Sequence, residues 1–228
     1  MRDLNRLLQP EWLVTAATGL IGRLSAGYLR LCRSTTRWDR QGEAELERLL
    51  AQGPVIVVVW HDGALMAPMV WPARRWPITT LRDTSPAGRV SGAVQARLGL
   101  QPMAMAPRSS NRVASRLILR RLAEGVSVGI AGDGPKGPVR VMKDAALDWA
   151  RVSGRPVIML AAAMRRHRRL DTWDRFIMPL PFTRGRVIWR LWRAELPRKA
   201  DPAQIEAWRA DLTAALNQLS DEVWEGLL

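Results

Sequence analysis

Several residue types are scarce in this chain of 228 residues, and their scarcity limits what the chain can be. Its single cysteine, Cys32, excludes a disulfide within the chain and favours a reducing compartment. Lysine occurs only at positions 136, 143 and 199, and there are one tyrosine and two phenylalanines. A long apolar run is also missing, since the stretch from Trp12 to Gly22 ends at Arg23, short of the roughly 20 residues that a membrane-spanning helix needs.

Arginine and tryptophan are abundant instead. The chain has 35 basic and 21 acidic residues, a formal charge of +14, and eleven tryptophans. This balance predicts an anionic partner, such as nucleic acid, acidic lipid or a phosphorylated substrate. The segment from Glu11 to Arg33 is the only targeting candidate and does not resemble a secretory signal. It predicts an amphipathic helix that either lies on a cytoplasmic leaflet or packs on the core.

Strand-like and helix-like segments alternate along the rest of the chain. The best strand signal is PVIVVVW, Pro54–Trp60, a continuous β-branched run typical of a strand buried on both faces. Further strands are predicted at 78–81, 103–105, 126–131, 156–161 and 186–192, and helices at 43–50, 88–98, 111–124, 144–153 and 202–224. This order predicts a single α/β domain with a mainly parallel central sheet flanked by helices.

Two loops follow predicted strands and carry groups suited to chemistry. His61 comes directly after the first buried strand, at what should be the first turn of a helix, where the charged imidazolium is disfavoured and a general base is suited. The other loop reads GDGPKGP, in which Gly134, Pro135, Lys136 and Gly137 form a tight turn. It matches neither common nucleotide-binding pattern.

Basic groups around this second loop predict a cradle for one phosphate or a similar anion. Asp133, Arg140 and Lys143 are available beside Lys136, and backbone N–H groups close the turn. Since ligands bind at the carboxyl ends of strands in such sheets, we expect this loop near His61.

A third cluster, Arg108-Ser109-Ser110, precedes a predicted helix at the same edge of the sheet. Ser110 alone would suffice as the helix cap, so Arg108 is left as a candidate for binding. The second histidine, His167, lies among four arginines in MRRHRRLD and is interpreted as part of a solvated basic loop.

Taken in order, these motifs resemble a known superfamily. WH after a buried strand, RSS before a helix, DGPKGP, and TWDRFIMPLPFTR from Thr172 to Arg184 resemble the lysophospholipid acyltransferase superfamily, in its bacterial branch catalogued as a domain of unknown function. The resemblance implies a glycerolphosphate-acyltransferase-like α/β domain over residues 36–228, preceded by a membrane-associating helix over residues 1–35. It also implies transfer of a fatty acyl group from acyl carrier protein or coenzyme A to a hydroxyl, less often an amine, of an anionic lysolipid or lipid A-type acceptor.

The resemblance also assigns roles to residues. His61 matches the catalytic histidine that takes the acceptor's proton, and Asp133 with Gly134 match the acid and glycine of the acceptor block, which makes Asp133 the second predicted catalytic residue. Lys136 or Arg140 would hold an acceptor phosphate, and residues 108–110 would line the acceptor pocket. No metal or bound cofactor is implied, and the thioester acts as co-substrate. The location implied is the cytoplasmic face of the inner membrane, peripheral or monotopic.

One position departs from the superfamily pattern. The acid that orients the catalytic histidine is expected five residues after it, where this chain has Met66. Asp62 is adjacent in sequence but on a helix would point about 100° away from His61. Asp83, Asp133 or Asp62 therefore remain as candidates for the orienting carboxylate.

Two other classes of protein compete with the acyltransferase. A non-catalytic lipid-binding protein of the same fold is supported by the missing acid. A nucleic-acid-binding protein would explain the charge, but its arginines are scattered, and neither a reader motif nor an aromatic stacking platform is present. We therefore expect an anionic membrane lipid as a partner and do not expect nucleic acid. Acyl carrier protein is a further possible partner. The sequence does not indicate the oligomeric state.

Overall fold

A seven-stranded sheet forms the centre of the computed structural model, which describes residues 11–105, 111–193 and 195–227, with side chains except those of residues 11–14 and 111–112. The strands lie in the order β1-β9-β6-β2-β5-β3-β4. Their bounds are β1 Thr36–Gln41, β2 Ile56–Val59, β3 Ile78–Arg82, β4 Gln101–Ala104, β5 Ser127–Ala131, β6 Val157–Met164 and β9 Thr183–Arg193. A separate two-stranded hairpin consists of β7 His167–Arg169 and β8 Ile177–Pro179.

Helices cover both faces of this sheet. In the described residues they are α1 Glu11–Thr35, α2 Glu43–Gln52, α3 Ala67–Val70, α4 Pro86–Arg97, α5 Asn111–Ala123, α6 Ala145–Ser153 and α7 Pro202–Glu225. Strand β2 shows how the core is divided, because Val57 and Val59 belong to one buried cluster while Ile56 and Val58 belong to the other. Helices α1 to α4 contribute to the first cluster and α5 to α7 to the second. Burial on both faces explains why this strand reads as a continuous apolar run.

The α/β prediction with a mainly parallel sheet is confirmed, with two differences at one end. Strand β9 runs antiparallel to β6, and β1 pairs parallel with β9. The residues of β1, TRWDRQ, are mostly charged or polar, so the sequence gives no strand signal there. They form an edge strand, a position where charged side chains are common because one edge faces solvent.

Helix α1 packs on the core along one face. Ala26, Leu29 and Cys32 are buried in the first cluster, and Gly22 lies so close to α4 that a Cβ there would be 2.7 Å from Cβ of Ala93. The expected helix over Glu11–Arg33 is thus present, with its buried face on the core. Within the described ranges, no helix combines the length and apolarity that crossing a bilayer requires.

Two loops project from the carboxyl ends of the central strands. The first, here called the glycine loop, is residues 132–143 and follows β5. The second, here called the arm, is residues 165–182, which leave β6, form the β7–β8 hairpin and enter β9. The last residue of β6 that pairs with β2 is Met159, and β6 continues from there to Met164. The arm therefore begins beyond the carboxyl end of β2.

Candidate functional site

His61 stands where β2 ends, between the glycine loop and the arm. Its backbone forms a short 3₁₀ turn, His61–Gly63, followed by the four-residue helix α3, so His61 does not lie in the first turn of an α-helix as predicted. The preceding residue, Trp60, is buried and packs near Gly132 of the glycine loop. The backbone at His61 is therefore held by packing of the preceding residue in the core, while the His61 side chain is 30% exposed.

The His61 ring is paired with an aspartate from the arm. Its Nδ1 lies 2.5 Å from Oδ2 of Asp174, a side chain that is 3% exposed. The other oxygen of Asp174 accepts a hydrogen bond of 2.6 Å from the Thr172 hydroxyl. No hydrogen-bond partner for Nε2 of His61 is found among the residues the structure describes. This geometry suits an imidazole that donates Nδ1–H to the carboxylate and presents the Nε2 lone pair to solvent.

A second aspartate holds the backbone of the same histidine. Oδ1 of Asp133 accepts the backbone N–H of His61 at 2.9 Å, and Oδ2 accepts the backbone N–H of Arg140 at 3.1 Å. Asp133 is fully buried. The structure thus places the predicted catalytic Asp133 against main-chain donors, where it ties the histidine turn to the glycine loop and makes no hydrogen bond to the imidazole.

The other two candidates for the orienting acid, Asp62 and Asp83, also have other partners. Asp62 accepts from the Arg140 guanidinium at 3.2 Å. Oδ1 of Asp83 accepts from the backbone N–H and the hydroxyl of Ser85, at 2.9 and 2.5 Å, at the start of α4. Asp174 occupies the position beside the ring for which Asp62, Asp83 and Asp133 were candidates. Asp174 belongs to the TWDRF motif, but the sequence alone does not connect the acid of that motif with His61.

Arg140 also differs from its predicted role. Its guanidinium is shared between Asp62 and, at 3.4 Å, Asp221 of α7, so its charge is already balanced within the protein. Its φ of 56° places it in the left-handed region, which the Asp133 hydrogen bond to its N–H helps to hold. We therefore assign Arg140 to the framework of the glycine loop. Lys136, by contrast, is exposed and has no acidic partner among the described residues.

The glycine loop and the arm meet through an aromatic contact. Gly134 and Gly137 both have positive φ, 67° and 65°. A Cβ on Gly137 would lie 2.8 Å from Cζ3 of Trp173, so the glycine allows the indole to approach the turn. The Trp173 and Phe176 rings stand 5.3 and 6.1 Å from the His61 ring. The predicted turn thus lies at the histidine, with Pro135 exposed on its outer side.

The remaining sequence predictions concern residues 108–110 and His167. Arg108, Ser109 and Ser110 lie outside the described residues. His167 lies in β7, where Nδ1 contacts the carbonyl of Met164 at 2.8 Å and the ring centroid lies 4.7 Å from that of Trp224, with the ring planes inclined at 55°. It is therefore a structural residue of the arm.

The two aspartates beside His61 have opposite electrostatic surroundings. Burial raises the pKa of Asp133 above its ordinary value, and the backbone N–H bonds from Arg140 and His61 offset only part of that effect. Burial also opposes ionisation of Asp174, but the hydrogen bonds from Thr172 and His61 outweigh it and hold the pKa of Asp174 below its ordinary value. The acid that contacts the ring is therefore the one whose charged form is favoured.

Comparison with known proteins gives little further information about function. No protein-family model matches the chain. An uncharacterized protein of Rickettsia prowazekii (strain Madrid E), RP090, is 26% identical over 166 residues, which covers 71% of this chain and 74% of the relative. Because that relative is uncharacterized, the similarity carries no activity to this chain, and a functional conclusion depends on the site.

Proposed function

We propose that this chain is a transferase that uses His61 as a general base. The observation that carries the proposal is the pair formed by Nδ1 of His61 and the buried Asp174 carboxylate at 2.5 Å, with Nε2 left without a partner among the described residues. A carboxylate on one ring nitrogen holds the tautomer in which the other nitrogen can accept a proton.

More specifically, we propose an acyltransferase of the lysophospholipid acyltransferase type, with a glycerolphosphate-acyltransferase-like domain. It would transfer a fatty acyl group from acyl carrier protein or coenzyme A to a hydroxyl or amine of an anionic lysolipid or lipid A-type acceptor, at the cytoplasmic face of the inner membrane. The sequence motifs support this choice, because WH, DGPKGP and TWDRF meet at one place: the first supplies His61, the second Asp133, and the third Asp174.

In the reaction proposed, Nε2 of His61 takes the proton from the acceptor hydroxyl as its oxygen attacks the thioester carbonyl. The tetrahedral intermediate expels the thiolate, which takes the proton from the imidazolium and leaves as the thiol. Asp174 keeps its charge throughout and stabilises the imidazolium that forms between the two steps. Base catalysis of this kind is typically worth about 10²–10⁴ in rate.

The acceptor's anionic group is assigned to Lys136. Lys136 is exposed on the turn in which Gly137 faces Trp173, and Trp173 lies beside the His61 ring. Arg140 is less suited, because its guanidinium is already paired with two acids. The alternative of a lipid-binding protein without activity depended on the missing acid. With Asp174 beside the imidazole, that argument no longer favours it.

The test is an acyl-transfer assay on the purified full chain. Labelled acyl-coenzyme A and acyl carrier protein thioesters are offered with a panel of lysophospholipids and lipid A precursors, and the products are identified by mass spectrometry. We expect acylation of at least one acceptor, and a loss of about 10²–10⁴ in kcat for His61→Ala. The matched control is His167→Ala, the second histidine, which should retain activity. Full activity of His61→Ala, or no product from any donor and acceptor, would sink the proposal.

A further inference from the structure

A threonine of the arm contacts the acid that contacts His61. The Thr172 hydroxyl donates to Oδ1 of Asp174 at 2.6 Å, and Oδ2 of the same carboxylate lies 2.5 Å from Nδ1 of His61. Threonine, aspartate and histidine therefore form one chain of hydrogen bonds. The bond of 2.6 Å has the length usual for a hydroxyl that donates to a charged carboxylate.

A second contact sets the direction of the Thr172 hydroxyl. Its oxygen accepts the backbone N–H of Phe176 at 3.1 Å. Because an amide N–H only donates, this contact uses a lone pair of the hydroxyl and leaves its single proton for Asp174. An ionised carboxylate only accepts, so all the bonds around Thr172 are satisfied together when Asp174 is charged.

Thr172 also closes the turn from which side chains of the arm reach the His61 ring. Its carbonyl accepts the backbone N–H of Arg175 at 3.0 Å, and Arg175 has a φ of 52°, a strained conformation that this bond helps to hold. The backbone N–H of Leu170 donates to the carbonyl of Phe176 at 2.9 Å, which joins the turn to the β7–β8 hairpin. The side chains that reach the ring are those of Trp173, Asp174 and Phe176.

Packing in the core does not explain Thr172. The residue is exposed, whereas Asp174 is buried. An exposed side chain adds little to the core, so the contribution of Thr172 lies in its hydrogen bonds. The buried carboxylate, in contrast, needs donors, because burial without them penalises its charge.

The bond from Thr172 decides how Asp174 meets the ring. With Oδ1 taken by the hydroxyl, Oδ2 is left to face Nδ1 of His61. Without that bond the carboxylate could rotate or turn toward solvent, and the contact with Nδ1 would lengthen. The nitrogen that carries the proton of a neutral imidazole depends on such a contact. Burial opposes the charge of Asp174, but the bonds from Thr172 and His61 outweigh it and keep the pKa of Asp174 below its ordinary value.

We propose that Thr172 is a positioning residue, which holds Asp174 so that its carboxylate keeps the proton of His61 on Nδ1 and leaves Nε2 free to accept one. The effect on catalysis rests on the proposed function. The position of the proton does not, because it is measured in the resting protein without donor or acceptor.

The test reads the tautomer of His61 by NMR. The full chain is prepared with isotope-labelled histidine, and long-range proton–nitrogen correlations at a pH where the ring is neutral show which ring nitrogen carries the proton. The chain has two histidines, so His167→Ala assigns the signals. We expect the Nδ1–H tautomer at His61 in the parent protein and in Thr172→Ser, which keeps the hydroxyl. Thr172→Val, which loses it, should shift part of the population to the Nε2–H tautomer.

Kinetics of the same variants connect the tautomer with acyl transfer. Thr172→Val should lower kcat about tenfold with little change in KM, since it removes one hydrogen bond to a charged group. Thr172→Ser should stay close to the parent protein. Thr172→Ala is a second variant without the hydroxyl, and circular dichroism checks that each variant is folded.

The matched control is Thr183→Val, at the other end of the arm. The Thr183 hydroxyl accepts the backbone N–H of Arg166 at 3.0 Å and donates to the carbonyl of Arg184 at 3.3 Å. It thus holds the arm's backbone, but within the described residues it makes no hydrogen bond to Asp174. Thr183→Val should keep both the tautomer and kcat of the parent protein.

An unchanged tautomer in both Thr172→Val and Thr172→Ala would overturn the proposal, as would a shifted tautomer with unchanged kcat in an active chain. Equal changes from Thr183→Val would also overturn it, because they would show a general loosening of the arm. Equal losses from Thr172→Ser would assign the effect to the methyl group instead. A tautomer that shifts as expected in a chain without acyl transfer would leave Thr172 as the residue that positions Asp174 and remove only the enzyme.

Discussion

The glycine loop and the arm each bring one buried aspartate to His61, and the two aspartates act differently. Asp133 from the glycine loop accepts main-chain N–H groups, and burial raises its pKa. Asp174 from the arm accepts from the ring, and its hydrogen bonds lower its pKa. The same side chain can thus brace a backbone or polarise an imidazole, depending on which donors surround it. We infer that the glycine loop holds the His61 backbone and, under the proposed function, binds the acceptor, while the arm supplies the carboxylate that polarises the His61 ring.

The largest expected effect comes from neutralising the arm's aspartate. Asp174→Asn should lower kcat by about 10²–10⁴, because the imidazole loses the charge that fixes its tautomer and stabilises its protonated form. KM should change little, since Asp174 is not expected to contact the acceptor. Steady-state kinetics on the full chain, with thermal unfolding as a control for folding, makes the measurement. A rise in KM at constant kcat would contradict the inference that Asp174 acts on the His61 ring while the glycine loop binds the acceptor.

A glycine pair tests whether the two loops depend on one another. Gly137→Ala should lower kcat/KM by roughly tenfold, because its Cβ would displace Trp173 and with it the neighbouring Asp174. Gly134→Ala is the matched control: its φ is equally positive, but its Cβ would meet nothing closer than 4.0 Å. Both variants carry the left-handed strain of about 1–2 kcal/mol. If they lose activity equally, the contact with Trp173 is not what matters.

Lysine variants test whether the glycine loop binds the acceptor. Lys136→Ala should raise KM for an anionic acceptor by about tenfold and leave kcat nearly unchanged, since the lost interaction is made equally before and during the reaction. Lys143→Ala removes another exposed lysine of the same loop and serves as the comparison. Identical kinetics for Lys136→Ala and the parent protein would exclude Lys136 as the anion site.

The smallest expected effect concerns stability and has opposite signs for the two aspartates. Folding lowers the pKa of Asp174, so this carboxylate stabilises the fold at pH values above its ordinary pKa. That stabilisation is lost as the pH falls through the folded-state pKa. The stability difference between the parent protein and Asp174→Asn should therefore shrink on acidification. Folding raises the pKa of Asp133, so the protonated side chain stabilises the fold at low pH. That stabilisation is lost as the pH rises through the folded-state pKa. The difference for Asp133→Asn should therefore grow on acidification.

Urea unfolding of the parent protein and both variants at neutral and acidic pH gives these differences. The change attributed to Asp174 lies below its ordinary pKa of about 3.9, and that attributed to Asp133 lies above it. Differences that move in the same direction would show that the two sites are not electrostatically distinct.

Six of the seven strands of the sheet could be predicted because they carry their own signals, whereas β1 is mostly charged or polar and carries none. Val57 and its neighbours are apolar on both faces, and turns bound each run. The hairpin of the arm could not be predicted, since β7 and β8 have three residues each and their pairing leaves no periodic pattern. His61 was found from its place after β2. Asp174 was missed because it is 113 positions away, and only the fold of the arm brings it to the ring.

The position of Cys32 provides the protein with a natural reporter group. The only thiol in the sequence is buried in α1, 3.8 Å from the carbonyl of Pro179 in the arm, and burial raises its pKa. A maleimide or disulfide reagent can reach it when the arm separates from α1 or when the chain unfolds. Under conditions where global unfolding is slower than labelling, the labelling rate of the unmodified chain reports the local opening between α1 and the arm, without any engineered cysteine.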